Sequence, residues 1–570
     1  MLKKKTQNEL KLFVTISHLI NFAIDSITQL NRRMTSQNQS KAYRNELFRH
    51  LDGIVTAPSA FALHERGIFD YLTRHKKALI SVLSKEFSAN EGYLNVALRV
   101  MCSQGWLTQS VTDEDVEFSI NNNSIDAFKC APLYKDVVEL LKFSEKFHPR
   151  KFELEPFKLL EKIQHKFQSS YKSDFAALKV NRDISDQVLK HIEGILLGPT
   201  IVHLGMNGMF HKYFMEASFL PEEFHNDSSS FGSLLDFFTY CGWFEKKNNT
   251  YRFTDKGLFF AKRASAYGVT VSYTPTLRNL NDLIFGDLER IRTYQEHQTE
   301  THVDREMNVW GSGGAHSSYF KVVDEIIIEL FNRPIEEQPK GILDMGCGNG
   351  AFIRHMFEVI EYQTQRGKML DSHPLFLVGV DYNKTALKVT RANLIQADIW
   401  AKVMWGDIGR PDLLAQNLVS DYGINLSDLL NVRTFLDHNR IWETPKANDS
   451  DRVSSSTGAY ATKGKRISNE QVEESLLEHL NKWKPYVSKF GLLVIELHTV
   501  DPAITSKNLG KTAATAYDAT HGYSDQYILE VDIFLKVAEE AGLRPATNNF
   551  RKFPDSELAT VTVNLLQSSN

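Results

Sequence analysis

The run Gly341-Ile342-Leu343-Asp344-Met345-Gly346-Cys347-Gly348-Asn349-Gly350 constrains this chain more than any other segment. Its first half is apolar and strand-like and ends in a carboxylate. Three glycines at alternate positions then let backbone approach a ligand closely before a helix predicted from Ala351 to Ile360. A strand, a glycine turn and a helix in succession belong to an open α/β sheet whose ligands bind beyond the carboxyl ends of its strands. A pyrophosphate at the helix N-terminus is the first ligand to consider. The acid argues against it: Asp344 precedes the glycines, where it would repel phosphate but hold a cationic amino group.

Strand-like runs alternate with helices from Gly341 onward, the pattern of a parallel sheet. Leu375 to Asp381 is a second strand ending in an acid, and Gly406-Asp407-Ile408 follows the next short one. A fourth strand is predicted over Asp428 to Arg433 and a fifth over Gly491 to His498. The polar stretch 445–466, rich in Ser, Gly and Lys, reads as a lid or a tolerated surface insertion.

The N-terminal half is different. Residues 46–300 read as helices with two polar hairpins, and one arrangement occurs twice. Leu98 to Leu107 (LRVMCSQGWL), with Gly105 as helix cap, is echoed by Leu235 to Phe244 (LDFFTYCGWF), so that Gly242-Trp243 lies over Gly105-Trp106. The duplicated unit resembles a winged helix. Neither candidate recognition helix carries a Lys/Arg cluster, so dimerisation or substrate capping is the reading rather than DNA contact. Residues 1–45 are read as an amphipathic helix on Leu10, Phe13, Ile16, Ile20, Phe22, Ile24 and Ile27, interrupted by too many polar residues for a signal peptide. Residues 301–340, with Trp310-Gly311-Ser312-Gly313-Gly314, are expected to form a glycine-containing connector that covers the cofactor.

Composition narrows the partners. A chain of 570 residues with 42% hydrophobic content can bury the cores of roughly two to four domains. Its net charge of −4 offers no basic field for nucleic acid, and no apolar run suits a membrane span. Cys102, Cys130, Cys241 and Cys347 form no CxxC pair, which fits a reducing cytoplasmic setting and argues against a thiolate zinc site.

The 341–350 segment resembles motif I of Rossmann-like S-adenosylmethionine-dependent methyltransferases. The expected architecture is thus an α/β class I methyltransferase domain over 341–570, with an N-terminal, mostly helical lid containing winged-helix-like repeats. The resemblance implies a cofactor site of Asp344, Gly346, Cys347 and Gly348 in the turn. Asp381 would meet the ribose hydroxyls with Tyr382 beside it, Asp407 and Ile408 would meet the adenine, and Asn431 would lie in the fourth strand.

The acceptor should lie beyond the fourth and fifth strands. Three segments converge there: Phe435-Leu436-Asp437-His438-Asn439-Arg440, the run from Glu478 to His498, and Asp518-Ala519-Thr520-His521-Gly522-Tyr523-Ser524-Asp525-Gln526-Tyr527. Together they resemble the metal-dependent C-methyltransferases of polyketide synthase initiation modules, of apratoxin and saxitoxin type. The resemblance implies methylation of a malonyl group carried by an acyl carrier protein, with neighbouring polyketide synthase domains as partners. It also implies a mononuclear metal, iron before manganese or zinc, on His438, Gln526 and His521, with His498, Asp437 and Tyr523 as catalytic candidates. Such an ion would stabilise the enolate of a malonyl thioester as a Lewis acid.

The competing enzyme is a metal-independent small-molecule O-methyltransferase with His438 as general base. A cofactor-sensing regulator that binds DNA is disfavoured by the lack of basic helices, and a subunit that docks carrier proteins without turnover is a third possibility.

Overall fold

The computed structural model describes residues 37–568 apart from 113, 144–146, 149–150, 153, 292–300, 316 and 447–451. The amphipathic pattern from Leu10 to Ile27 lies outside the described residues.

The C-terminal part is built on an eight-stranded sheet. Strands β1 (Gly341–Met345), β2 (Phe376–Asp381), β3 (Ala401–Trp405), β4 (Leu429–Thr434) and β5 (Leu492–Leu497) are parallel in the order β3-β2-β1-β4-β5. Three later strands, β6 (Leu543–Pro545), β7 (Arg551–Phe553) and β8 (Val561–Ser568), complete it: β8 pairs antiparallel with β5 and takes β6 and β7 on its other edge. Every residue of β1 and of β5 is buried, as expected where helices cover both faces of a parallel sheet. Ser317–Phe331, Ala351–Gln363 and Lys384–Gln396 pack on one face, and Pro411–Tyr422, Asn469–Val487 and Val531–Glu540 on the other. Chain direction across the sheet reverses between β1 and β4. The carboxyl ends of these two strands therefore flank a crevice.

Two winged-helix units precede the sheet. In the first, the helices Ile80–Phe87 and Glu91–Ser103 stand on a three-stranded sheet of Lys77–Leu79, Leu107–Val111 and Val116–Ile120. In the second, Ser228–Tyr240 leads into the hairpin Phe244–Lys247/Thr250–Phe253, and a Phe219–Tyr251 bridge stands in for the third strand. The repeat extends to backbone detail. Gly105 and Gly242 both take a left-handed conformation (φ +73° and +79°) just past their helices. Trp106 and Trp243 follow, each with its N–H on the carbonyl five residues back and its ring buried.

Two departures from the sequence reading have simple physical causes. The glycine-containing connector is instead two helices, Arg305–Ala315 and Ser317–Phe331. Gly311 lies against the Gly268–Val269 backbone of the helix Ser265–Ser272, where a Cβ would come within 2.5 Å of Val269 N; its lack of a side chain permits close helix packing rather than a flexible link. The 445–466 stretch, where described, is a clasp: Tyr460–Thr462 and Lys465–Ile467 form a hairpin packed on Glu91–Ser103, with Gly92 N–H donating to Gly464 O at 2.9 Å.

Candidate active site

The motif-I turn brings its polar groups to the carboxyl ends of β1 and β2. Gly346 and Gly348 hold left-handed conformations (φ +80° and +56°), and a Cβ added at Gly348 would meet open space. The Gly348 N–H donates to Asp381 at 3.0 Å, and the Asn383 N–H donates to the other carboxylate oxygen at 2.8 Å. Asp344 is buried with one carboxylate oxygen lacking any partner among the described residues. Burial, then the nearby Asp381 charge, push its carboxyl up to about 7. An unpartnered buried carboxylate beside an open glycine turn fits a ligand that brings a cationic amino group.

The other cofactor candidates divide. Tyr382 is half-exposed beside Trp405, whose indole N–H donates to its carbonyl at 3.0 Å. Asp407 accepts from Gly409 N–H at 2.8 Å, while Ile408 is buried and its carbonyl takes the Trp483 indole N–H at 2.7 Å. Cys347 lines the turn through its backbone only, because its thiol turns into the core 3.6 Å from Thr390 Oγ1. Asn431 is not brought to this group. Its register partner in β1 is Leu343, one residue short of Asp344, and its amide is shared among the carbonyls of Leu426, Leu429 and Tyr486 at 3.2–3.3 Å.

The acceptor side is organised by a residue the sequence reading assigned no role. Glu496, buried in β5, accepts from His438 Nδ1, from Asp437 N–H (2.9 Å) and from Leu497 N–H (2.7 Å). The His438 and His521 rings meet edge to face, centroids 5.1 Å apart. His521 Nδ1 is taken by the Tyr517 carbonyl at 2.8 Å, with Thr520 Oγ1 at 3.1 Å. Both imidazoles thus commit Nδ1 to a protein acceptor and keep Nε2 without a protein partner among the described residues. This tautomer offers a lone pair at Nε2. Burial, with His438 close by, holds His521 down at about 3, so its ring is neutral and able to ligate or accept. Gln526 joins the pair: its backbone N–H donates to His521 O at 3.0 Å and its side-chain amide to Tyr273 at 3.1 Å.

The three catalytic candidates are placed elsewhere. His498 is fully buried with both ring nitrogens occupied, Nδ1 on Leu529 O (3.1 Å) and Nε2 on Thr562 Oγ1 (2.8 Å), and burial lowers it to about 3. It therefore ties the end of β5 to β8 and to Leu529, and leaves no ring nitrogen for a reactant. Tyr523 belongs to the core of the N-terminal units, with its hydroxyl on Ser59 at 2.8 Å. Asp437 pairs with Arg433 and with His479 (Nε2 3.1 Å). Burial opposes its charge, but the Arg433 guanidinium and His479 outweigh that and keep the carboxyl below its ordinary range. It orients the turn that carries His438.

Glu46, His50 and Glu193 form a further acidic cluster, in the N-terminal region. Lys190 reaches both carboxylates, 3.0 Å from Glu46, and Lys256 lies 2.9 Å from Glu46. A dication there would have to displace two ammonium groups, because the chain's own lysines already neutralise the cluster.

The sheet order, the motif-I turn and the acidic strand ends define a Rossmann-like methyltransferase. Three family models match the chain: the AprA N-terminal domain over residues 43–109, the AprA winged helix domain over 193–287 and the AprA MT2-like domain over 300–564. The chain belongs to the AprA-type, S-adenosylmethionine-dependent methyltransferases. Among solved structures it is similar to the mitomycin 7-O-methyltransferase MmcR, at 10% identity and a TM-score of 0.39 over 70% of this chain and 99% of that one. It is also similar to the CurJ carbon methyltransferase, at 12% identity and a TM-score of 0.32 over 78% and 99%. Human N-acetylserotonin methyltransferase matches at 10% identity and a TM-score of 0.39 over 68% and 99%. No curated protein sequence matches the chain. Among the described residues no helix is long and apolar enough to cross a membrane.

Proposed function

We propose that this chain is a C-methyltransferase that transfers the sulfonium methyl of S-adenosylmethionine to a malonyl group carried by an acyl carrier protein, in the making of a polyketide starter unit. The observation that carries the reading is the pair of buried imidazoles, His438 and His521, each fixed through Nδ1 and without a protein partner at Nε2 among the described residues, with the Gln526 N–H on the His521 carbonyl.

A malonyl thioester is a carbon acid, and its reaction with the sulfonium needs its proton removed and the enolate charge stabilised. His438 suits the first task. Glu496 accepts the Nδ1 hydrogen, fixes the tautomer and stabilises the imidazolium formed when Nε2 takes the proton. Asp344 and Asp381, at the ends of β1 and β2, would hold the cofactor's amino and ribose groups, and the neighbouring β4 leads to His438. A metal, if resident, would be held by Nε2 of His438 and His521 and by the Gln526 side-chain oxygen, and His438 would then be a ligand and not the base. Two nitrogens, one oxygen and a carboxylate behind one imidazole suit iron, manganese or zinc. Bound there, the ion would supply Lewis-acid stabilisation of the enolate.

The Glu496–His438 pair also favours a second reading, a metal-independent O-methyltransferase with His438 as general base toward a hydroxyl. Intact-protein mass spectrometry of malonyl-carrier protein incubated with enzyme and S-adenosylmethionine, with and without EDTA and re-added metal, separates the two. Methyl increments on the carrier that vanish in EDTA support the first reading. An unmodified carrier beside methylation of hydroxylated small molecules overturns it.

A further inference from the structure

The helix Ala514–Gly522 and the turn after it, which carry His521 and Gln526, are held by polar side chains of the N-terminal half. Arg99 reaches Asp518 (3.0 Å), and its guanidinium also donates to Thr499 Oγ1 (2.8 Å) and Val500 O (3.0 Å). The Tyr93 hydroxyl donates to Asp525 at 2.7 Å. Tyr273 goes further, to the His438–His521–Gln526 group itself. Its hydroxyl accepts from Nε2 of Gln526 at 3.1 Å, and its ring lies 5.9 Å from that of His521.

The backbone on both sides of this contact is fixed. Tyr273 is buried at the corner between the helices Ser265–Ser272 and Thr274–Leu277, and its carbonyl accepts from the N–H groups of Thr276 (2.9 Å) and Leu277 (3.0 Å). The residue before it is clamped from the start of the helix Arg305–Ala315: Ser272 O accepts from Asp304 N–H at 2.8 Å, and Ser272 Oγ from the Asn308 side chain at 3.0 Å. The close approach of Gly268 and Gly311 brings the same two helices together. On the facing side, the Gln526 N–H donates to His521 O at 3.0 Å and the next N–H, of Tyr527, to His438 O at 2.8 Å, so the backbone here is tied to both histidines. Those bonds do not settle which way the Gln526 side-chain amide faces.

The direction matters because the two ends of an amide do different chemistry: the oxygen accepts or ligates, whereas the NH2 only donates. Tyr273 takes the NH2 of Gln526, which leaves the oxygen as the end that makes no hydrogen bond among the described residues. We infer that Tyr273 is a positioning residue of the acceptor site, whose hydroxyl fixes the Gln526 amide with Nε2 toward the N-terminal half and Oε1 left for a ligand shared with Nε2 of His438 and His521. This role rests on the metal site of the proposed function. It adds a residue from outside the catalytic domain, so that the site is complete only when both halves of the chain are in place.

Tyr273→Phe removes the hydroxyl and keeps the ring. Calorimetry of Mn(II) alone binding to the full chain measures the effect, with S-adenosylmethionine affinity as the control for folding. Tyr273→Phe is expected to weaken Mn(II) binding by about tenfold or more, the cost of losing a group that orients a ligand, with cofactor affinity unchanged. Gln526→Glu supplies a second background, because a carboxylate has two equivalent oxygens and needs no partner to choose between them. In that background Tyr273→Phe is expected to change Mn(II) affinity by less than about twofold. Unchanged Mn(II) affinity in Tyr273→Phe alone overturns the inference. An equal loss in both backgrounds overturns it too, since Tyr273 would then act through the surrounding fold and not through the amide. A wild type that binds no Mn(II) overturns the metal reading itself and the role of Tyr273 with it, an outcome distinct from a wild type and a variant that bind equally well.

Discussion

Glu496 and His438 lie at the ends of neighbouring parallel strands, and the carboxylate of one takes the Nδ1 hydrogen of the other inside the protein. The same carboxylate caps the Asp437 N–H, so one side chain fixes both the tautomer of the imidazole and the turn that carries it. Glu496→Gln keeps an acceptor for the backbone but cannot stabilise an imidazolium. It is expected to lower kcat by about 10²-fold while the dissociation constant for S-adenosylmethionine stays within twofold. Single-turnover methylation with calorimetry of cofactor binding checks this; an unchanged kcat would remove His438 as the base.

Asp344 makes cofactor binding depend on pH. Its carboxyl lies near 7 in the folded chain, raised by burial and then by Asp381 from the usual 3.8. Between those values the folded chain holds a proton that the unfolded chain has lost, so this group's contribution to stability falls as pH rises from about 4 to 7. Cofactor binding runs the other way, because only the ionised carboxylate attracts an ammonium group. Affinity is expected to weaken by about fivefold from pH 7 to pH 6, and Asp344→Asn should abolish the dependence. Titration calorimetry at the two pH values decides it.

His521 and Gln526 separate the metal reading from the pure base reading. If they are ligands, His521→Ala and Gln526→Ala purified without chelator will carry less than half the metal of the wild type by elemental analysis, with cofactor affinity retained. Equal and negligible metal in all three proteins, with activity kept in EDTA, would favour base catalysis alone.

What was legible in the sequence follows from how local each signal is. Asp344 and Asp381 could be found because a strand ending in an acid before a glycine turn or a helix cap is written in a few consecutive residues. The choice between Glu496 and His498 could not be made that way. Alternation puts both residues on the same side of β5, so it cannot choose between them; the strand ends at Leu497, and the structure turns Glu496 to His438 and sends His498 to Leu529 and Thr562. Tyr523 was misplaced for a related reason. Only the packing of Ala514–Gly522 against the N-terminal units shows that Tyr523 faces Ser59. The Gly311 segment was read as a linker because glycines mark both flexible joints and close helix contacts, and Gly268, its contact, is distant in sequence.

That contact yields a stability prediction. Gly311→Ala puts a methyl against the Gly268–Val269 backbone, which has no flexible end to yield. A loss of about 1–3 kcal/mol is expected, read as a lower denaturant midpoint at unchanged cofactor affinity. Unaltered stability would mean that the helices Arg305–Ala315 and Ser265–Ser272 are not held this closely.

Arg99 shows why the first winged-helix unit is inseparable from the catalytic domain. All of Glu91–Ser103 except Glu91 is buried, so the helix that would enter a groove in a DNA-binding relative is enclosed by this chain instead. It delivers a guanidinium to Asp518, and the Tyr93 hydroxyl to Asp525 at 2.7 Å, on the segment that holds His521 and Gln526. Arg99→Met leaves Asp518 as a buried carboxylate without its cation, and the expected cost is about 3–5 kcal/mol. Asp518→Leu added to Arg99→Met should recover much of that loss, because two apolar groups need no desolvation to be repaid. Recovered stability without recovered methylation would show that the pair positions the His521 segment as well as holding the two parts together. If the double variant is as unstable as the single, the destabilisation comes from the lost Thr499 and Val500 contacts rather than from an uncompensated charge. Thermal unfolding of the three proteins, followed by kcat and KM of the double variant, distinguishes these outcomes.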